Sequence, residues 1–279
     1  MSFCVRAAVC LLTVCLPLAA AELNDPKEIV RLSLKADNRN EELRSNYTYK
    51  VLTVEHDLDG AGKVKATHST LAEVLPIGGR SYEHTLEKDG KPLPPDESHK
   101  EQKKLDDAVR ERNRLSAAER KAQTEKARTR RAKRREEMQH ILEAFDFQLQ
   151  GDADVNGRPA WEIHATPRRD YKGPNAFFFR NVEGTLWIDK KDYQWVKMEA
   201  DTLDTISIGW FLARIGKGTR ITFENVRLNG EIWAPKHVSL RASARVALFR
   251  KLNADQDQTY SDYRKFQTDS RLVSTEEIP

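Results

Sequence analysis

Apolar and polar residues alternate along many stretches of the chain, and this spacing predicts β-strands with one buried face. The clearest stretch is residues 238–248, with an apolar residue at every second position. Similar stretches cover residues 47–55, 64–75, 80–88, 145–150, 160–165, 184–189, 194–200, 220–228 and 259–266. Turn pairs such as Asn156-Gly157 and Asn229-Gly230 join neighbouring stretches. We therefore expect about ten to eleven strands, linked mostly by hairpins, in an antiparallel sheet that curls into a half-barrel.

Helical spacing interrupts this strand pattern near the start and in the middle of the chain. Asp25 can cap a helix, Pro26 suits its first position, and Glu28 completes a capping box before an imperfect apolar face that extends to about residue 44. Residues 96–144 are rich in Ala, Glu, Lys, Arg and Gln and contain no Gly or Pro, which favours helix. Ser116, with Glu119 three residues later, can begin a second helix. We therefore expect a helical hairpin here rather than one continuous helix.

A third helical pattern is short and apolar. Between Ile206 and Ile215, one helical face carries four apolar residues with a tryptophan beside them: Ile208, Phe211, Leu212 and Ile215, with Trp210. The segment is interpreted either as a lid that opens or as a plug that stays in place. The predicted fold is mainly β (α+β): a strongly curved antiparallel half-barrel with an N-terminal helix, a plug or lid helix and a long charged helical insertion.

Three sequence motifs resemble those of a known family. They are Gly184-Thr-Leu-Trp-Ile-Asp-Lys-Lys191 followed by Trp195-Val-Lys-Met-Glu199, then Asn229-Gly-Glu-Ile-Trp-Ala-Pro235, and finally Tyr260-Ser-Asp-Tyr-Arg-Lys-Phe266. Together with the order of elements, they resemble the outer-membrane lipoprotein-sorting protein family, which has the LolA/LolB-like fold. The resemblance implies a periplasmic, non-enzymatic protein whose concave apolar sheet accepts acyl chains. The insertion at residues 96–144 is not part of that basic fold.

The first 21 residues have the features of a secretory signal. Arg6 precedes a short apolar run, Pro17 breaks the run, and small residues occupy positions 19–21. All three cysteines lie inside this segment, so the mature chain is expected to have neither disulfides nor thiolate sites. The predicted organisation is a signal peptide at 1–21, a helix and the first strands at 22–95, the insertion at 96–144 and the rest of the half-barrel at 145–279. We expect a soluble periplasmic protein without a lipid anchor or a transmembrane helix.

Motifs for catalysis are missing from the sequence. It contains no Gly-x-Ser-x-Gly elbow, no His-Glu-x-x-His and no Gly-rich phosphate loop. His56, His68 and His84 fall on three successive predicted strands and would form a metal site only if the register brought them together. We expect solvent-side histidines instead, and no catalytic residue, metal or cofactor.

Two groups of apolar residues are the candidates for ligand binding. The first is the concave face of the sheet: Leu186, Ile188, Val196, Met198, Leu240, Ala242, Ala244 and Val246. The second is the plug or lid: Ile208, Trp210, Phe211, Leu212 and Ile215. An ordinary core requires the same alternation, so the pattern alone leaves open whether the face is filled by the chain or by a ligand.

Charge is distributed unevenly along the chain. The net charge is +4, but the segment from Lys100 to Glu137 has fifteen Lys and Arg against eight Asp and Glu, an excess of +7. This segment is either a solvated surface or a contact for anionic membrane or an acidic protein; export argues against nucleic acid. The favoured function is a carrier of lipid or lipoprotein acyl chains. The alternatives are a regulatory or scaffolding module acting through the insertion and, less favoured, an enzyme.

Overall fold

The computed structural model describes residues 25–59, 61–77, 80–208, 213–241 and 254–265. Its helices are α1 Pro26–Arg44, α2 Pro95–Arg114, α3 Ala117–Gln139, α4 Ile141–Ala144 and α5 Ala176–Phe179. Its strands are β1 Tyr47–Leu58, β2 Val64–Ile77, β3 Arg80–Lys88, β4 Lys91–Pro92, β5 Phe145–Val155, β6 Arg158–Pro167, β7 Val182–Asp189, β8 Trp195–Thr202, β9 Ile206–Ile208, β10 Ala213–Ile215, β11 Arg220–Leu228, β12 Ile232–Arg241 and β13 Ala254–Lys265.

Eleven of these strands form one curved antiparallel sheet, in the order β4-β3-β2-β1-β13-β12-β11-β8-β7-β6-β5. The sheet is not closed, because β4 and β5 lie at its two edges. Strand β1 pairs with β13, from Tyr47 opposite Lys265 to Asp57 opposite Ala254. This pairing joins the first and last described strands in the middle of the sheet. The predicted mainly-β half-barrel is confirmed.

Helix α1 lies across one face of the sheet and packs against β5, β7 and β12. Asp25 caps it by accepting a hydrogen bond from the Lys27 N–H, and Pro26 occupies its first turn as predicted. The predicted capping box does not form, since the Glu28 carboxylate binds Arg31 on the next turn instead. The apolar face of α1 meets the sheet in the main core, which contains Ile29, Val30, Trp161, Ile163, Leu186 and Ile188.

The insertion folds as the predicted helical hairpin. Helix α2 ends at Arg114, and Ser116 caps α3 by accepting a hydrogen bond from the Glu119 N–H. The Glu119 carboxylate in turn accepts from the Ser116 N–H, which completes a capping box. Two backbone donors at the start of α3 thus have partners without help from the rest of the fold.

The prediction of a plug or lid helix between Ile206 and Ile215 is wrong, because the described residues of this segment form two short strands. Strands β9 and β10 pair with each other, Ile208 opposite Ala213 and Ile206 opposite Ile215. A short apolar run fits both helical and strand spacing. Here the alternation of Ile206, Ser207 and Ile208 prevails, and Ile206 is buried.

Candidate functional site

A cavity of about 500 Å³ opens between the sheet and the C-terminal end of α1. We call it the hollow. Its sheet wall comes from strands β1, β2, β3, β12 and β13 and consists of Tyr47, Tyr49, Val74, Pro76, Ser81, Ile232, Pro235 and Tyr263. Ligand sites in proteins typically have volumes of roughly 300–1,000 Å³ and mostly apolar walls. The hollow meets the volume criterion, and its lining combines the largely apolar sheet wall with charged side chains from α1 and α3.

Strand register explains why these side chains share one wall. Tyr49 pairs with Val74 across β1 and β2, and Pro76, two residues further along β2, points to the same face. Pro76 in turn pairs with Ser81 of β3. The β1–β13 pairing adds Tyr263, whose ring centroid lies 5.2 Å from that of Tyr49. A second tyrosine of β13, Tyr260, lies 5.8 Å from Tyr49.

The tyrosine hydroxyls are held in place by hydrogen bonds. Tyr263 donates to the Pro235 carbonyl oxygen over 2.6 Å, and Tyr47 donates to the Glu231 carboxylate over 2.9 Å. Burial is the main cause that raises the pKa of Tyr263, and the neighbouring tyrosines Tyr49 and Tyr260 add to it. Burial also raises the pKa of Tyr49. These rings therefore stay neutral at physiological pH and present aromatic surface to the hollow.

Helix α3 supplies a basic rim to the hollow. Arg130, Arg131 and Arg134 line the cavity from this helix, and Glu41 and Arg44 line it from α1. Arg134 forms an ion pair with Glu41 at 3.3 Å, and Arg135 forms one with Glu42 at 3.1 Å. These two ion pairs connect α3 to the last turn of α1.

The helical hairpin spans the β3 side of the sheet. Val74 lines the hollow, so the next residue, Leu75, points to the opposite face. Tyr82 pairs with Leu75; burial and then the charge of Glu101 on α2 raise the pKa of Tyr82. Helix α2 thus packs on the face opposite the hollow, against β2 and β3, while α3 returns to the hollow.

A second cavity, of about 470 Å³, borders α1 near Lys35, Arg39 and Trp233. Arg227 of β11 lines this cavity and forms an ion pair with the Asp192 carboxylate at 3.1 Å. The same carboxylate accepts a hydrogen bond from the Trp233 indole N–H over 3.0 Å. Arg158 binds Asp192 as well, at 3.2 Å. This polar cluster is satisfied within the chain, and we assign it a structural role.

Four of the predicted concave-face residues lie on strands β7 and β8. Leu186 and Ile188 lie in the core under α1, and Met198 packs against them. Ile188 is fully buried, so α1 itself fills this half of the face. Val196 is buried beside an irregularity in the β7–β8 register. None of these four residues lines the hollow, which lies on the other half of the sheet.

Other predicted residues are half-buried or lie outside the described residues. Leu240 of β12 and Ile215 of β10 are half-buried. Ala242, Ala244 and Val246 lie outside the described residues, as do Trp210, Phe211 and Leu212. Ile208 is placed in β9 by its backbone.

The tyrosines of the hollow were missed by the sequence analysis. Tyr260 and Tyr263 sit among polar and charged residues, and the alternation that begins with Tyr47 and Tyr49 breaks down after Val51, so no sustained apolar pattern marks them. The available signal was the aromatic spacing of Tyr47 with Tyr49 and of Tyr260 with Tyr263 on two predicted strands. That spacing indicates a shared aromatic wall only when β1 and β13 are known to pair.

The histidines do not form a joint site. His56 pairs with Thr67, and its ring nitrogen lies 2.9 Å from the Thr67 hydroxyl oxygen. His68, the next residue on β2, therefore points to the opposite face. Across the described ranges, no group of three or more His, Cys, Asp or Glu is arranged to hold a metal ion. Helices long and apolar enough to cross a membrane are likewise not found among those residues.

Comparison with known proteins gives a likeness of structure only. Neither a family model nor a curated protein matches the chain. Among solved structures, a LolA superfamily protein from Nitrosomonas europaea is similar, with a TM-score of 0.37, 10% identity and coverage of 85% of this chain and 93% of that one. A putative outer membrane lipoprotein-sorting protein domain from Vibrio parahaemolyticus follows, with a TM-score of 0.34, 10% identity and coverage of 87% and 95%.

A third similar structure is MucB in complex with MucA(peri), with a TM-score of 0.23, 11% identity and coverage of 83% of this chain and 94% of that one. Lipoprotein-sorting proteins, which the sequence motifs resemble, are thus among the solved structures similar to this chain. At such TM-scores and identities the likeness does not extend to ligands or partners, which depend on the site and not on the fold.

Proposed function

We propose that this chain is a periplasmic, non-enzymatic carrier that binds lipid or the acyl chains of lipoproteins. The observation that supports this most is the hollow, a cavity beneath helix α3 with an aromatic and aliphatic sheet wall, which the residues described by the structure leave open. Its wall combines fully buried side chains such as Ile232 with half-buried ones such as Tyr49 and Tyr263. An apolar guest would cover the exposed part of these rings.

Burial of an alkyl chain supplies the free energy of binding. Removing apolar surface from water is worth about 25 cal/mol per Å², or about 0.8 kcal/mol for each buried methylene group. The tyrosine wall needs little rearrangement, because hydrogen bonds already fix the hydroxyls of Tyr47 and Tyr263. A preformed wall lowers the cost of ordering side chains upon binding.

Uptake of a fluorescent fatty acid by the purified mature chain tests this function. A carrier enhances the probe's emission with a saturable, one-to-one dependence on protein, and an unlabelled fatty acid displaces the probe. Absence of saturable uptake, in a sample whose circular dichroism shows the folded sheet, would contradict the carrier function.

A second candidate is a regulatory or scaffolding module that acts through the helical hairpin. The observation that favours it is the exposure of the two helices: α2 has no buried residue, and the one buried residue of α3 is Ala127. In this case the basic surface from Lys100 to Glu137 would bind an acidic protein, or an anionic membrane at about 1 kcal/mol per basic residue close to the surface.

Replacing residues 100–137 by a short Gly-Ser linker separates the two candidates. A carrier without this segment still takes up the fatty acid, more weakly because the hollow loses its α3 side. A scaffold without it loses its partner or its binding to anionic vesicles. The replacement removes most of α2 and α3 and no strand, and the β-type circular dichroism of the variant checks that the sheet is retained.

A further inference from the structure

The rim of the hollow carries more positive than negative charge. Four arginines and one glutamate line the cavity: Arg44, Arg130, Arg131, Arg134 and Glu41. Glu41 is paired with Arg134 at 3.3 Å, and Arg44 lies 3.4 Å from Asp37. Among the described residues, Arg130 and Arg131 have no carboxylate within ion-pair distance. Two unneutralised guanidinium groups therefore face the cavity mouth.

Repulsion between neighbouring arginines also destabilises α3 locally. Arg130 and Arg134 are four residues apart on α3, as are Arg131 and Arg135, and like charges at this spacing destabilise a helix. Arg131 is half-buried, which weakens its hydration without supplying a counter-charge. A bound anion would relieve both the repulsion and the lost hydration.

One carboxylate of β3 lies near the tyrosine wall, although it does not line the hollow itself. Glu83 of β3 pairs with Val74, and so lies on the face that lines the hollow. After burial, its charge is a further cause that raises the pKa of Tyr49. Arg44 also lies near this wall, where its charge lowers the pKa of Tyr49. The tyrosine wall thus has charges of both signs near it, whereas the unpaired charges that line the cavity, Arg130 and Arg131, lie on α3.

We infer that the hollow takes an anionic single-chain amphiphile, with its alkyl chain against the tyrosine wall and its head group on Arg130 and Arg131. This inference rests on the proposed carrier function and names the ligand class. Guanidinium groups bind carboxylate and phosphate oxygens with two parallel hydrogen bonds, so both head groups fit. The volume of about 500 Å³, toward the low end for ligand sites, favours one chain over several.

Isothermal titration calorimetry below the critical micelle concentration tests the inference. Three ligands with the same alkyl chain are compared: lysophosphatidylglycerol, a free fatty acid and zwitterionic lysophosphatidylcholine. At least one of the two anionic ligands is expected to bind about ten-fold more tightly than lysophosphatidylcholine, and the tighter one identifies the head group as phosphate or carboxylate. The double variant Arg130→Gln/Arg131→Gln should lose that preference, with little change for lysophosphatidylcholine.

The matched control is Lys126→Gln/Arg128→Gln. It removes the same charge from exposed positions of α3 that do not line the hollow, and it should keep the ten-fold preference. Equal affinity for anionic and zwitterionic ligands, or equal losses in the two double variants, would overturn the head-group assignment while the carrier function stands. Failure of all three ligands to bind would overturn the carrier function and this inference with it.

Discussion

Two hydrogen bonds join Asn40 of α1 to Trp233 of β12. The Asn40 amide nitrogen donates to the Trp233 carbonyl oxygen over 2.7 Å, and the Trp233 N–H donates to the Asn40 side-chain oxygen over 2.8 Å. Within the described ranges, strand β13 pairs with β12 only from His237 to Leu240, and Trp233 has no strand neighbour there on that side. One amide side chain thus replaces a rung of the ladder and fixes α1 beside the hollow.

Replacing this amide should destabilise the whole fold. In Asn40→Ala, a buried N–H and a buried carbonyl of Trp233 lose their partners, and each such group costs about 1–3 kcal/mol. We expect the free energy of unfolding to fall by about 2–4 kcal/mol in urea titrations followed by tryptophan fluorescence. Asn38→Ala, a half-buried position two residues earlier on the same helix, should change it by less than about 1 kcal/mol. Equal effects of the two variants would show that the Trp233 contact is unimportant.

Filling the hollow should block lipid uptake without unfolding the protein. Ser81 is exposed on β3 and lines the cavity, so Ser81→Trp places an indole where the alkyl chain would lie. We expect at least about a ten-fold loss of fatty-acid affinity, equivalent to about 1.4 kcal/mol. The control is Lys65→Trp, an exposed position on β2 that does not line the hollow. Full uptake by Ser81→Trp would place the ligand elsewhere.

The ion pairs between α1 and α3 should control how tightly α3 stays on the sheet. Glu41→Gln/Glu42→Gln removes the partners of Arg134 and Arg135. Because partly exposed ion pairs contribute little, we expect only about a two- to ten-fold faster amide hydrogen exchange in α3, with β5–β8 unchanged. High salt should have the same effect on the original chain.

A matched variant for this measurement is Glu125→Gln/Glu136→Gln. It removes two exposed carboxylates from α3 itself without touching α1. If it accelerates exchange in α3 as much as the Glu41/Glu42 variant does, then intrinsic helix stability, and not docking on α1, governs the exchange.

Stability should fall at alkaline pH because of the buried tyrosines. Burial raises the pKa of Tyr49, Tyr260 and Tyr263 above the value of about 10 found in an unfolded chain. Groups with a raised pKa contribute stability below the unfolded pKa and lose it as the pH rises through the folded pKa. We expect the tyrosines to leave the urea midpoint constant between about pH 7 and 9. Above about pH 10, the midpoint should decline. In Tyr263→Phe, the decline should be shallower; an unchanged slope would contradict this assignment.

Much of the fold follows from local signals in the sequence. The Asn229-Gly230 turn has positive φ at both residues, 50° and 68°, which is the backbone that such a pair favours between two strands. The break in the insertion was predicted at Ser116, and a capping box forms there with Glu119. Both features depend on residues a few positions apart, so a single sequence is enough to find them.

The hollow depends on contacts between distant parts of the chain. Tyr49 meets Tyr263 only because β1 pairs with β13, and α3 reaches the hollow through ion pairs such as Arg134 with Glu41. No local period encodes either contact. Leu186 and Ile188, which the sequence offered as ligand-binding residues, are buried under α1. Alternation alone does not distinguish a face covered by a helix from one open to a ligand.

Native mass spectrometry of the protein isolated from its own cell envelope tests the carrier function most directly. A carrier whose hollow of about 500 Å³ holds an alkyl chain should appear as the polypeptide plus one lipid-sized adduct, and the adduct should be absent from the Ser81→Trp variant. A spectrum of the bare polypeptide alone, from a sample that also fails to take up fatty acid, would contradict the account.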